Sequence, residues 1–382
     1  MGKRVDILVV GMDKITDKSG YLYDAFTERG IRCLLYSRDK IGMANKIKHR
    51  LKVDIKIVPK SIVLEIVYFL SVIVFHRPKH VEMYHTHLIA QPLYVLACFI
   101  CRVPLVVWCI GELYQWEKFH PLRKIVNRFA YRVADVLILT ELYMEETVEK
   151  YRLTDKAKCV FCSNRIPVKE DSSVERKGKV VLFLNSFKPW RRLELLIDAV
   201  PAILEEVPES RFLLVGSAKH LNYLKRYMNM PQYEKMLESK IRDAGISSCV
   251  EIRPFTENPW EYYEQASIFV LPADIVFCNY SLLEAMERGM PPVVASVEGA
   301  RLIVDDGIDG FVVQQNPQAV ADAVIRLLSD DGLREKMGRK AREKIVSKFS
   351  IQISVGILLD AYKSHIKGWK NHHLSRPHVF AS

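Results

Sequence analysis

One carboxylate stands out in residues 279–296, which otherwise have the pattern of a short apolar helix followed by a buried strand. Ser281 is a suitable N-cap for this helix, because its hydroxyl can accept a hydrogen bond from a free amide of the first turn. Glu284 then falls in the first turn, where the helix dipole favours a negative charge. A carboxylate at this place either lies in solvent at the helix start or binds hydroxyl groups of a ligand in a cleft.

Two histidines, His85 and His87, lie at the end of a predicted strand. Alternate residues of a strand point to the same face, so the two imidazoles could line a cleft or contribute to a metal site. No third ligand lies near them in the sequence. The pairs Cys98/Cys101 and Cys159/Cys162 also lack a matching Cys or His pair close by. We therefore predict that the protein binds no metal.

Strand and helix patterns alternate along the whole chain, which predicts two α/β domains with parallel sheets. The polar segment 168–179 has no periodicity and is predicted to be the interdomain linker. The expected divisions are a first domain over 1–170, a second over 171–350, and a C-terminal helix with a tail over 351–382. Ligands of such sheets bind at the carboxyl ends of the strands, so we expect a site between the domains. The first strand lacks a Gly-x-Gly-x-x-Gly sequence, which argues against bound NAD.

The positive charge is confined to one half of the chain. The net charge is +11, and residues 1–170 hold 28 Lys and Arg against 18 Asp and Glu, so 28 − 18 = +10. Residues 38–60 are strongly basic and are followed directly by the apolar run 61–75. Cations and an inserting apolar face are what contact with an anionic membrane surface requires. A core helix behind a solvated basic loop is the alternative interpretation.

Other localisations and partners fit the sequence less well. The run 61–75 is short for a membrane span and contains Glu65. No signal peptide is recognisable, and the eight cysteines are scattered, so we expect a cytoplasmic protein that is peripherally associated with the inner face of the membrane. No sequence signature of a nucleic-acid-binding motif is present, and nucleic acid is not an expected partner.

The order of motifs resembles the GT-B glycosyltransferases, specifically glycosyltransferase family 4, the group 1 transferases. The resemblance is carried by residues 185–199, 212–217, 268–273, 281–296, Gly299 and 306–313. It implies an α/β protein of two Rossmann-like domains with parallel sheets facing across a cleft, and a C-terminal helix that crosses back to the first domain. It also implies that the second domain binds a nucleotide-sugar donor and the first domain an acceptor. Transfer is expected with retention at the anomeric carbon, with no metal and no cofactor.

The resemblance also assigns roles to single residues. Lys188 and Arg191 are implied to lie at the donor diphosphate, where cations stabilise the charge that develops on the leaving group. Glu284 corresponds to the carboxylate that binds the ribose hydroxyls of the nucleotide. The remaining implied donor contacts are the backbone at the helix start and the glycine near the end of an upstream strand: Ser281, Leu282, Leu283 and Gly216.

The sequence departs from the family pattern at three places. Val276 stands where the family often has a Glu eight residues before Glu284, so Asp274 and Asn279 become candidates for contacts with the donor sugar. Ser186 stands where the family commonly has an Arg. The usual His-Gly of the first domain is replaced by Ile-Gly. Glu112 is therefore a candidate catalytic residue, and the candidates on the acceptor side are His85, His87 and Gly111.

Together these features predict a glycosyltransferase that uses a saccharide or lipid-linked acceptor in cell-surface polysaccharide or glycolipid synthesis. One alternative is a catalytically weak or inactive partner protein that retains the fold and binds a nucleotide sugar. The other is a sugar-nucleotide epimerase, although the sequence contains no evident acid/base pair within reach of one substrate.

Overall fold

The computed structural model describes residues 5–12, 17–37, 51–58, 61–84, 89–109, 112–141, 143–169, 178–218, 230–256 and 258–369. The packing divides the chain into two compact units. The first consists of Met1–Pro167 together with Ile351–Ser382, and the second of Val168–Ser350.

The first unit is built on a parallel seven-stranded sheet of order β3-β2-β1-β4-β5-β6-β7. Its strands are β1 Ile7–Val10, β2 Cys33–Ser37, β3 Asp54–Ile57, β4 His80–Met83, β5 Leu105–Cys109, β6 Val136–Leu139 and β7 Cys159–Phe161. Its helices are α1 Asp17–Glu28, α2 Ile62–His76, α3 Ala90–Ile100, α4 Pro121–Val133, α5 Tyr143–Lys150 and, at the C-terminal end, α13 Ile351–His365. The central strands β1, β4, β5 and β6 are buried throughout because helices cover both faces of the sheet.

Two apolar cores lie on the two faces of this sheet. Helices α2, α3 and α4 pack over one face with α5, and helices α1 and α13 pack over the other. The C-terminal helix, expected to return to the first domain, is thus part of the first unit.

A buried carboxylate joins α13 to the sheet. Glu82 of β4 is fully buried, and its Oε1 accepts hydrogen bonds from Tyr362 Oη at 2.5 Å and from His80 Nε2 at 3.2 Å. Its Oε2 accepts from Tyr23 Oη at 2.6 Å and from Trp108 Nε1 at 2.8 Å. Burial by itself raises the pKa of Glu82, but the hydrogen bonds from His80 and the two tyrosines outweigh it, and the pKa is lowered.

The second unit contains a parallel six-stranded sheet of order β10-β9-β8-β11-β12-β13. The strands are β8 Val180–Leu184, β9 Arg211–Ser217, β10 Val250–Pro254, β11 Ile268–Leu271, β12 Pro292–Ala295 and β13 Phe311–Val313. The helices are α6 Leu193–Glu206, α7 Pro231–Asp243, α8 Trp260–Gln265, α9 Tyr280–Glu287, α10 Ala300–Ile303, α11 Pro317–Ser329 and α12 Asp331–Lys348. The prediction of an α/β protein with parallel sheets is confirmed.

Several local predictions differ from the structure. Strand β3 forms within the basic segment 38–60, where no strand was predicted, and it pairs with β2 at the edge of the sheet. Strand β4 ends at Met83, before the two histidines that were predicted to continue it. Of the predicted linker, residues 170–177 lie outside the described residues. Lys169 just before them is bonded within the second unit, since its amide donates to Glu287 Oε1 at 3.1 Å.

Candidate functional site

The strand order of the second sheet marks where a ligand of this unit is expected. The order runs outward in opposite directions from β8 and β11, which are neighbours in the middle of the sheet. Between two such strands the connections leave to opposite sides, and a crevice opens outside their carboxyl ends. The loops that follow β8 and β11 are residues 185–192 and 272–279. These two loops contain Lys188, Arg191, Asp274 and Asn279, four of the residues that the sequence singled out.

The loop after β8 presents two cations. It contains a 3-10 turn, Pro189–Arg191, which precedes α6. The Lys188 ammonium lies over the ring of Trp190, 4.9 Å from its centroid. Arg191 is partly buried, and the loss of solvent lowers the pKa of its guanidinium. No carboxylate forms an ion pair with Arg191 among the residues that the structure describes. A cation in this state is a ready site for an anionic group.

The two loops contact each other directly. The amide of Asp274 donates to the carbonyl oxygen of Trp190 at 2.9 Å. Arg192 Nε lies 3.6 Å from Asp274 Oδ1, and Gln315 Nε2 donates to the same oxygen at 3.0 Å. The side chain of Asp274 is still 48% exposed, so it is held in place but can accept further hydrogen bonds.

Helix α9 begins one residue after the second loop ends, and its cap differs from the prediction. Asn279, not Ser281, is the N-cap: its Oδ1 accepts from the amides of Ser281 at 3.0 Å and Leu282 at 3.4 Å. Two of the amides predicted to face a ligand are therefore bonded to the cap in this structure. Asn279 was also predicted, like Asp274, to contact the donor sugar, but here its side-chain oxygen caps the helix.

Glu284 lies in the second turn of α9, not in the first as predicted, and its side chain is buried. Tyr263 of α8 is fully buried and donates from Oη to Glu284 Oε2 at 2.8 Å. Its hydroxyl also lies 3.3 Å from the carbonyl oxygen of Ser281. Burial, and next the negative charge of Glu284, raise the pKa of Tyr263 well above its usual range, so the phenol stays a donor at all ordinary pH values.

Two glycines allow the loops of the site to approach one another. Gly216 in β9 has φ +136°, and a Cβ there would lie 1.8 Å from the carbonyl oxygen of Asn185. Gly299 has φ +85°, and a Cβ there would lie 2.0 Å from the carbonyl oxygen of Val276. Both positions require glycine for conformation and for space. The predicted donor residue Gly216 thus determines where the loop after β8 can lie.

We expect Gly216→Ala to lower the stability of the second unit by about 1–3 kcal/mol, because it combines backbone strain with a clash against Asn185. It should also weaken ligand binding, since the clash displaces the loop that carries Lys188 and Arg191. Gly245→Ala is a matched control, because Gly245 has φ +69° but open space around its Cα. Thermal unfolding and ligand titration should show a larger loss for Gly216→Ala than for Gly245→Ala in both measurements.

The position at which the sequence departs from the family carries no polar group into the loop. Val276 is fully buried, and its amide donates to the carbonyl oxygen of Glu298 at 3.0 Å. A carboxylate at this position would need a different side-chain environment. Asp274, two residues earlier, is the exposed carboxylate of this loop.

The candidates of the first unit lie mostly outside the described residues. His85, His87 and Gly111 are among the residues without a described structure, and of Glu112 only the backbone is described, at the start of the 3-10 helix Glu112–Lys118. Strands β1 and β4 flank the reversal of strand order in the first sheet, and His85 and His87 follow β4 in the sequence. Their predicted roles on the acceptor side stay predictions.

Within the described ranges, no group of three or more His, Cys, Asp or Glu side chains is arranged to hold a metal ion. In the same part of the chain, no helix is both long and apolar enough to cross a bilayer.

Sequence reasoning missed three residues of the site. Tyr263 positions Glu284, while Arg192 and Gln315 position Asp274. Tyr263 lies on a short helix with no apolar periodicity long enough to orient it. Arg192 was visible as the second cation of an Arg-Arg pair, but only the contact between the loops shows that Arg192, and not Arg191, lies beside Asp274.

Comparison with known proteins finds similarity to glycosyltransferases. Residues 165–344 match the family model of the glycosyl transferases group 1. An uncharacterized glycosyltransferase of Methanocaldococcus jannaschii is 24% identical over 66% of this chain and 67% of its own length. The poly(ribitol-phosphate) alpha-N-acetylglucosaminyltransferase of Staphylococcus aureus is 21% identical over 64% of this chain, which spans about half of that relative (47%).

Solved structures share the fold over nearly the whole chain. The crystal structure of Anabaena HepE in complex with UDP has a TM-score of 0.76 and 16% identity, and the match covers 94% of this chain and all of HepE. The predicted fold class, GT-B with two Rossmann-like domains, is confirmed. The candidate site lies within residues 165–344, the stretch that matches the model of the group 1 glycosyl transferases.

Proposed function

We propose that the protein transfers a glycosyl group from a nucleotide-sugar donor to a saccharide or lipid-linked acceptor, with retention at the anomeric carbon and without a metal ion. The observation that carries this proposal is the meeting of the Lys188–Arg191 loop with the Asp274–Asn279 loop at the strand-order reversal of a group 1 glycosyl transferase domain. The complex of the structural neighbour HepE with UDP supports a nucleotide as the ligand class.

In the proposed reaction the bond between the anomeric carbon and the phosphate oxygen breaks, and its electron pair leaves with the nucleoside diphosphate. The acceptor hydroxyl oxygen forms the new bond to the same carbon, and its proton passes to a phosphate oxygen of the leaving nucleoside diphosphate. Negative charge therefore grows on the diphosphate during the reaction. Lys188 and Arg191 would stabilise this charge, and the partial burial of Arg191 makes its interaction stronger than it would be in water.

Glu284 is proposed to bind the ribose hydroxyls of the donor. Its Oε2 already accepts from Tyr263, so the carboxylate is oriented before a ligand arrives. Asp274, exposed and held by Arg192 and Gln315, is the candidate for a contact with the sugar. These roles fit chain positions that the resemblance assigns to the donor.

The test begins with a screen of nucleotide sugars for thermal stabilisation, because a ligand that binds only the folded state raises the melting temperature. The best donor is then mixed with candidate acceptors, and release of free nucleoside diphosphate and the new glycosidic product are measured. Stabilisation and product formation together support the proposal. Stabilisation without turnover over a broad acceptor panel would favour the non-catalytic partner, and stabilisation by no nucleotide sugar would contradict both interpretations.

We expect Glu284→Gln to weaken donor binding about 10- to 100-fold, as estimated for the loss of a charged hydrogen bond of about 1.5–3 kcal/mol. Glu287→Gln is the matched control, because Glu287 is a buried carboxylate on the same helix that pairs with Arg342 at 3.0 Å. The control should lower the melting temperature but leave donor affinity close to that of wild type. Calorimetric titration with the donor decides, and equal affinity for wild type and Glu284→Gln would refute the assignment.

A further inference from the structure

The largest concentration of exposed apolar side chains lies on one side of the first unit. Of the twenty large apolar side chains that are exposed among the described residues, fourteen belong to α2, α3 and α4 or directly precede α3. These three helices form a layer over one face of the first sheet, with α3 between the other two. We call the side of this layer that points away from the sheet the outer face.

The exposed apolar residues of the outer face are not scattered, because on each helix they recur at intervals of three and four residues. On α2, residues 63, 67, 70 and 74 recur at intervals of three and four, which places them on one stripe of the helix. Residues 89, 93, 96 and 100 repeat the pattern at α3, and residues 122, 125 and 129 repeat it on α4. All eleven are large and apolar, with exposed fractions from 37% for Leu70 to 71% for Val63.

The inner stripes of the same helices are apolar as well, because they form the core against the sheet. Phe69 and Ile73 of α2 and Val95 of α3 are examples. Helices α2 and α3 are therefore apolar on both sides. A helix of this kind is normally covered on both sides, so the outer face of a soluble protein with this pattern needs an occupant.

The exposed charged side chains of the three helices are all cationic. Within the described residues of α2, α3 and α4 the only acidic side chain is Glu65, which is buried and accepts a hydrogen bond from Tyr94. Exposed arginines stand at the helix ends: Arg77 after α2, Arg102 after α3 and Arg132 in the last turn of α4. Residues 1–170 as a whole carry a net charge of 28 − 18 = +10.

We propose that the outer face docks onto an anionic bilayer, with its apolar side chains in the acyl boundary and its arginines at lipid phosphates. An amphipathic surface with cations at its border binds an anionic bilayer in two ways at once: by insertion of its apolar side chains and by electrostatic attraction of its cations to lipid phosphates. A second copy of the chain fits less well, because a two-fold contact pairs this face with itself, and among the described residues its three helices carry no exposed acidic side chain to meet the arginines. The inference extends the proposed function and rests on it, because the use of docking would be to bring the protein to a lipid-linked acceptor in the membrane.

The inference also revises the surface predicted from the sequence. The run 61–75 does form a helix with an exposed apolar stripe, but it contributes only one of three adjoining stripes. Of the basic residues 38–60, only 51–58 are described, and part of them forms strand β3. The cations that border the outer face come from the helix ends.

Co-sedimentation of the full chain with vesicles tests the proposal. We expect binding to phosphatidylcholine vesicles that contain phosphatidylglycerol. Binding to vesicles of phosphatidylcholine alone should be at least tenfold weaker, since both apolar insertion and electrostatic attraction are needed. The variant Val67→Glu/Leu96→Glu/Ile125→Glu places one carboxylate on each stripe and should lose binding to both vesicles. Ile308→Glu/Val346→Glu, at exposed apolar positions of the second unit, is the matched control and should bind like wild type.

The outcomes separate the possible occupants. Wild-type protein that does not bind phosphatidylglycerol vesicles, or a triple variant that binds them as wild type does, would overturn the proposal. A wild-type dimer that becomes a monomer in the triple variant, without vesicle binding, would assign the face to a second copy. Circular dichroism shows whether the triple variant is folded. The single variant Val67→Glu, a milder change, is used if the triple variant is not. Thermal stabilisation by a nucleotide sugar is measured in parallel, so a failed donor site and a failed docking face give different results.

Discussion

Arg191→Ala is expected to lower kcat about 10²- to 10³-fold, the effect of removing one preorganised group that stabilises charge in a transition state. The reason is the state of this guanidinium. It is partly buried, its pKa is lowered by loss of solvent, and no carboxylate pairs with it among the described residues. Since the charge on the diphosphate grows during the reaction, kcat should fall more than KM rises.

Two further variants are compared with Arg191→Ala. Arg191→Lys retains the positive charge but loses the planar fork of donors, so it should recover only part of kcat. Lys240→Ala removes a cation of the same unit that pairs with Asp198 at 2.7 Å, and its kinetics should match wild type. Initial rates at saturating acceptor, with donor concentration varied, give kcat and KM separately. Wild-type kinetics for Arg191→Ala would remove Arg191 from the reaction.

Glu82→Ala is expected to destabilise the first unit by about 3–5 kcal/mol, the range for removal of one partner from a buried charged network. The substitution leaves buried donors of Tyr23, Trp108 and Tyr362 without their acceptor. Tyr362→Phe removes a single donor and should cost only about 1 kcal/mol. Urea unfolding measures both, and donor binding by the second unit should survive in Glu82→Ala.

The same carboxylate predicts a dependence of stability on pH. The pKa of Glu82 is lower in the folded state than in the unfolded chain, so the folded state gains stability once the pH is above the unfolded pKa of about 4.3. This contribution should disappear as the pH falls through the folded pKa. Wild type should therefore lose stability below about pH 4 more steeply than Glu82→Gln, which has no such proton to bind. Parallel acid-unfolding curves for the two proteins would contradict this expectation.

The alternation of strands and helices was visible in the sequence because buried parallel strands are continuous apolar runs. Strand β3 was missed because its four residues, Asp-Ile-Lys-Ile, lie at the edge of the sheet, are largely exposed and stand among lysines in the sequence. No helix was predicted between β9 and β10, because α7 buries only two apolar side chains, Leu237 and Ile241, which are too few to show a clear period.

The candidate site was predictable as a set of residues but not as an arrangement. Local sequence allows Ser281 and Asn279 equally as helix caps, and the helix start that tertiary packing selects decides between them. The burial of Glu284 against Tyr263 joins two helices that are separated by β11, and no local pattern encodes that contact. The reversal of strand order between β8 and β11 likewise follows from strand pairing, which the alternation of elements alone does not determine.

The first unit is discontinuous in the chain, and this has a consequence for its biosynthesis. The hydrogen bond from Tyr362 to Glu82 joins residues 280 positions apart, with the whole of Val168–Ser350 between the two parts of the unit. At ordinary rates of translation, the ribosome needs roughly 10–40 s to synthesise that intervening stretch. During this time the second unit can fold as one continuous segment. We therefore expect the first sheet to wait with the face that α13 will cover still open and with Glu82 lacking one of its donors, which exposes apolar surface of the nascent first unit for that time.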